Sequence, residues 1–158
     1  MKKNLRVTFI LVIVTTLLCC LLVGCMQEGD KSLQKFYDKV KESQELIDNY
    51  ADDIYQCWYE AIYKDKYLGD INVAIAYATL LNEDSITAIE QKDKVISELY
   101  SEIKNSESSE EVKSVMIAYS DYYEFVINVS GSFKSFSADK ENKKKTLATA
   151  LRNLYYTL

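Results

Sequence analysis

Hydrophobic positions recur along most of this chain at helical spacing. Taking Leu33 as position a of a heptad places Leu33, Val40, Ile47, Ile54 and Ala61 at a, Phe36, Tyr50 and Cys57 at d, and Tyr37, Ala51 and Trp58 at e. A stripe that broad predicts one amphipathic helix over residues 32–66, with Gly69 as its C-terminal cap and Asp70 capping the next. Ile71, Ile75, Ala78, Leu81, Ile89, Ile96, Leu99 and Ile103 predict a second helix over residues 70–104, with a kink or brief break where Asn82 to Ser85 interrupt the stripe. A third starts at Ser108, which has capping-box spacing to Glu111, and its seam runs through Val112, Val115, Tyr119, Tyr122, Val126, Val129, Phe133 and Phe136. Ser130-Gly131-Ser132 lies inside that seam and predicts a kink, because glycine within a helix costs about 1 kcal/mol relative to alanine. Ser137-Ala138-Asp139 then reads as the start of a final helix carrying Leu147, Ala150, Leu151, Leu154 and Leu158, although one bent helix over residues 109–157 also fits the register. The expected fold class is all-α, an antiparallel bundle of three long helices, the third kinked or broken to give a fourth at the C-terminus. No stretch alternates like a strand, and no repeat or low-complexity linker divides residues 32–158.

The front of the chain follows a different pattern. Lys2, Lys3 and Arg6 precede an uncharged apolar run from Val7 to Gly24, and the next charge is Glu28. A basic segment followed by an apolar one is the form of an export signal, while a run of about eighteen residues also sits at the lower limit for crossing a bilayer. The run closes with Leu22-Val23-Gly24-Cys25, which resembles the lipobox of bacterial lipoproteins over residues 1–26. That resemblance implies cleavage between Gly24 and Cys25, loss of residues 1–24, and a diacylglyceryl group on the Cys25 thiol as the one attached group, with no other cofactor. Residues 25–31 would then be a lipidated tether and residues 32–158 the domain it carries. The implied partner of Cys25 is the lipid bilayer, held firmly because each buried methylene of an acyl chain contributes roughly 0.8 kcal/mol. The implied address is the extracytoplasmic face of a cell membrane. Abundant Lys, Ile, Asn and Tyr suggest a Gram-positive bacterium with an AT-rich genome.

Removing residues 1–24 takes three cations and no anion, moving the formal charge from −5 to −8. An acidic domain of that kind excludes nucleic acid as a partner and disfavours lying flat on anionic lipid. Of four cysteines, Cys19 and Cys20 leave with the signal and Cys25 is lipidated, so Cys57 is the one thiol left and no disulfide forms within the exported domain. Its stability has to come from a core, for which about 128 residues suffice.

The residues for catalysis are sparse. The chain has no histidine and four glycines, so neither a nucleophilic triad, a zinc site nor a phosphate-binding loop is expected. Residues 139–150 open like a calcium loop but carry Lys144 where glycine is needed and lack a closing Glu. Asp48 and Asp52, and Asp121 and Glu124, are paired carboxylates at helical spacing, read as solvated surface pairs rather than an acid and a base. Cys57, at a d position beside Trp58, reads as a buried apolar thiol. Lys140, Lys143, Lys144 and Lys145 form a basic cluster, read as a solvated helix face, the alternative being contact with anionic wall polymer or lipid headgroups.

Tyrosine carries the functional signal. All thirteen tyrosines follow the lipobox, and Tyr55, Tyr59, Tyr63 and Tyr67 stand four residues apart. Steps of four drift slowly around a helix, so these rings form a row, at positions mostly facing away from the heptad core. Two readings stand. Leu151, Leu154, Tyr155 and Tyr156 fold back over the row and bury it, or the row is an exposed aromatic strip that grips a partner protein or stacks on cell-wall sugars. The expected role is therefore non-catalytic: a protein-interaction module near the membrane, with a small-ligand or glycan-binding module as the alternative and a structural or stress-related envelope protein as a third.

Overall fold

The computed structural model describes residues 31–158 in full; Gly24, Cys25, the expected signal and all but the last residue of the expected tether lie outside the described residues. Within them the fold is all-α. The elements are α1 (Lys2–Tyr63), a 3-10 turn (Tyr67–Gly69), α2 (Ile71–Leu81), α3 (Glu83–Ile103), α4 (Ser109–Ile127) and α5 (Phe133–Tyr155). Among the described residues no helix is long and apolar enough to cross a membrane.

The heptad stripe of α1 is the spine of the core. Leu33, Phe36, Val40, Ile47, Tyr50, Ala51, Ile54, Cys57, Trp58 and Ala61 are all buried. The stripe has one gap, Ser43, which occupies a fully buried d position and lies 3.2 Å from the Tyr119 hydroxyl of α4. A polar pair in an apolar seam is tolerated when each group satisfies the other. Around this spine, Glu42 meets Lys92 and Tyr50 meets Thr79, so α1 runs against α2 and α3. Tyr37 meets Tyr155 and Asp48 meets Lys144, so it also runs against α5. Ser43 with Tyr119 and Asp48 with Tyr122 show α1 and α4 pointing the same way.

Several helix ends differ from their expected positions. The first helix stops at Tyr63 rather than near Lys66, because the amides of Lys64 and Lys66 both turn back to the Glu60 carbonyl and Asp65 takes a left-handed backbone, φ 52°. Tyr67, Leu68 and Gly69 are left-handed as well, so Gly69 closes a tight 3-10 turn instead of capping a helix. Each non-glycine in that conformation costs on the order of 1 kcal/mol. Asp70 caps α2 as expected, accepting from the amides of Asn72 and Val73. The break in the second helix falls at Asn82, which is buried and donates its side-chain amide to the Asp53 carboxylate and the Ala78 carbonyl.

Ser108 stands at the N-cap of α4, but its side chain makes no capping bond, so no capping box forms with Glu111. A box forms instead at Ser132, which accepts from the Ser135 amide while Ser135 Oγ accepts from the Ser132 amide. The last helix therefore begins at Phe133, not near Ser137. Gly131 makes the reversal possible: its φ is +92°, and a Cβ there would sit 2.9 Å from Ser135 Oγ. Residues 109–157 are thus two helices, and the apolar register survives the junction because α5 doubles back onto the face that α4 helps to cover.

Candidate binding surface

Three of the four tyrosines of the expected row do form one. Tyr55 and Tyr59 stack at 6.4 Å between ring centroids, and Tyr59 and Tyr63 follow at 4.9 Å. Into this row α5 inserts its first residue: the Phe133 ring lies 5.1 Å from Tyr55, 6.3 Å from Tyr59 and 6.0 Å from Tyr63. Behind it Trp58 packs on Phe133 and Phe136, which anchors the ledge to the core. Exposure rises along the row, from half-buried Tyr55 and Tyr59 to Tyr63 at 63%. Cations sit over two of the rings, Lys140 Nζ at 4.8 Å from the Tyr55 centroid and Lys64 Nζ at 5.7 Å from Tyr59, at which distance a cation is attracted to the ring face.

Two sequence expectations about this row are corrected. Tyr67 is not part of it, because α1 has already ended; its hydroxyl donates to Cys57 Sγ at 3.5 Å and its ring packs on Tyr77 of α2. The bond to Cys57, with burial, pushes the Tyr67 phenol well above its usual range. Nor does the C-terminal segment cover the row. Leu151 and Tyr155 lie beside Tyr37, many turns of α1 before the row, and Tyr155 and Tyr156 are themselves exposed. Phe133 does the covering, which sequence reading missed by placing the start of the last helix too late.

The lysine cluster is largely committed to partners inside the fold. Lys140 is buried at 8% exposure, pairs with Asp52 and lies 3.4 Å from Glu141. Lys144 meets Asp48 at 3.1 Å and Lys143 meets Asp121 at 3.8 Å. The lysines expected on a solvated face and the carboxylates expected as surface pairs are instead complementary halves of one ionic seam binding α5 to α1 and α4, with Lys140 buried in it. Asp48 also accepts the Tyr122 hydroxyl at 2.8 Å, and burial, followed by that bond to a carboxylate, drives the Tyr122 phenol far above its usual range. Cys57 is buried, as its position suggested. Among the described residues no group of three or more acidic, cysteine or histidine side chains is placed to hold a metal.

Elsewhere the described surface carries shallow grooves, two of them near 400 Å³. One of about 410 Å³ lies between α4 and α5, lined by Ser114, Ile117, Asp121, Thr146, Thr149 and Asn153 among others. The other, about 400 Å³, lies in the elbow of α2 and α3. No protein family, curated protein or solved structure matches this chain.

Proposed function

We propose that this chain is an extracytoplasmic lipoprotein of a Gram-positive cell membrane that works by binding another envelope protein, without catalysis. The observation that carries the reading is the aromatic ledge: three tyrosines and a phenylalanine held in register, with Tyr63 presented to solvent at 63%. Large rigid rings with a polar tip give contact area at low entropic cost, which is why tyrosine is enriched at interfaces. The opposed directions of α1 with α2 and α3, of α1 with α5, and of α4 with α5 through Phe125 and Phe136 support an antiparallel bundle of four rods. In that arrangement the ledge stands about 36 to 48 Å along α1 from residue 31 at 1.5 Å per residue. A lipid on Cys25 would hold such a surface in the zone just outside the membrane.

The lipid anchor is tested first. Cells making the native chain are expected to retain it in the membrane fraction and to label it with radioactive palmitate, whereas Cys25→Ser loses the label and is processed differently. Palmitate labelling that persists in Cys25→Ser would overturn the anchor. Stacking on sugars is the second reading of the same ledge; saturable binding of muropeptides that is lost in Tyr63→Ala would replace the protein partner with a glycan.

A further inference from the structure

α2 is apolar on both sides. Its inner side buries Ala74 and Ala78, with Ile75 packed beside them, while Val73, Tyr77 and Leu80 remain exposed on the other, Leu80 at 67%. Val73, Ala76, Tyr77 and Leu80 stand at i, i+3, i+4 and i+7, the spacing of a seam that receives another helix. No charged residue occurs from Ile71 to Leu81. A helix that is hydrophobic all round normally lies inside a structure, whereas on the outer face of this one Tyr67 packs against Tyr77 and Val73 and Leu80 stay exposed.

The outer seam opens directly into the elbow groove, whose lining includes Ala76, Leu80 and Ile86 together with two carboxylates, Glu83 and Glu90. Glu83, Thr87 and Glu90 lie along one side of α3 at helical spacing, and no cation lines the groove. Neither carboxylate has an ion-pair partner among the described residues. Lys94, one turn further on, marks where this acidic side ends. In the turn before α2, Leu68 is left-handed at φ 60° and 93% exposed.

We propose that the outer face of α2 and its elbow with α3 form a docking site for a basic amphipathic helix of a partner protein. Apolar side chains of that helix would lie on Val73, Tyr77 and Leu80, and lysines or arginines on one of its flanks would meet Glu83 and Glu90. Charge complementarity selects this occupant. A second copy of the chain would set the same carboxylates against each other, and anionic lipid would be repelled by them; like charges brought together at an interface cost several kcal/mol. The site lies on α2 and α3, away from the Phe133 ledge, so its test stands or falls separately.

The probe is a synthetic amphipathic helix of leucine and lysine, about 18 residues long so that it spans several turns. It is compared with a leucine and glutamate helix of the same apolar pattern. Binding is measured to the full chain in phosphatidylcholine nanodiscs, with empty discs as the blank. The lysine helix is expected to bind saturably and the glutamate helix at least about tenfold more weakly, with the difference shrinking as salt screens the charges. Leu80→Asn with Tyr77→Asn should weaken the lysine helix by about tenfold or more, and Glu83→Gln with Glu90→Gln should remove most of the salt dependence. Tyr63→Ala on the ledge and Ile117→Asn on α4 should leave it unchanged. Equal binding of both helices, or binding indifferent to Leu80→Asn, would overturn the site. Self-association of the chain that Leu80→Asn abolishes would also overturn it, by identifying a second copy as the occupant.

Discussion

At the scale of single residues, the informative side chains are charges placed where water is scarce. Burial is the largest influence on Lys140 and pulls its pKa down, but the hydrogen bond and charge of Asp52, reinforced by Glu141, carry it above the ordinary lysine value. A cation raised in this way stabilises the fold fully below the unfolded value of 10.5 and loses that contribution as pH rises through the folded value. Asp52→Ala leaves the buried ammonium with Glu141 alone. Because Asp52 is itself more than half exposed, the expected loss is about 1–2 kcal/mol at pH 7, below the range for a fully buried pair. Chemical denaturation across pH should find the loss shrinking above the lysine range. Asp93 has the opposite character. Burial first, then the facing charge of Glu124, raises its carboxyl above 3.8, with the Tyr119 hydroxyl pulling the other way. A carboxyl raised on folding takes stability away as pH climbs from the unfolded value through the folded one. Asp93→Asn is therefore expected to raise the melting temperature at pH 7 and not at pH 3. A gain equal at both pH values would mean that the aspartate is not the cause. The lysines and carboxylates of this seam were each visible in the sequence, but not as partners. Lys140 and Asp52 are 88 residues apart, and only the reversal of α5 brings them together.

At the scale of elements, what the sequence made legible was the interior of each helix rather than its ends. The seam of α1 could be read because buried residues repeat on one face, and Ser43, the gap in it, is explained only by a hydroxyl from another helix. The break at Asn82 was legible because a polar run has no way to extend an apolar stripe. The beginning of α5 was not, since Ser132 and Ser137 are both competent caps. The choice falls to Gly131, whose left-handed backbone lets the chain turn before Phe133. Gly131→Ala is thus expected to destabilise by about 1–2 kcal/mol, from the strained φ and the Ser135 contact together. It should also loosen the Phe133 cover, so that tyrosine fluorescence shifts before global unfolding. Thermal unfolding indistinguishable from the native chain would contradict this account of the turn. The outer face of α2 was open to sequence reading as well, since INVAIAYATLL contains no charge. Its inward stripe already accounts for a core-facing helix, which masks the second apolar side.

For the whole molecule, the distribution of apolar surface separates two tasks. The core side of each helix is closed by ionic and aromatic contacts across α1, α4 and α5, whereas most of the exposed large apolar residues gather toward the C-terminal end of α1, the left-handed turn and α2, with Tyr155, Tyr156 and Leu158 a smaller group at the end of the chain. Exposed aromatic and aliphatic area of this kind marks interaction sites. A chain anchored near its N-terminus would present that end outward. In the proposed function, Tyr63 and its neighbours touch one partner protein. The most direct test places a photocrosslinking amino acid at position 63 in living cells, with the same group at position 102, an exposed site on α3, as the comparison. One dominant crosslinked protein is expected from position 63, absent from position 102 and lost in Cys25→Ser, which would lack the proposed anchor. The same set of abundant neighbours captured from both positions would contradict it.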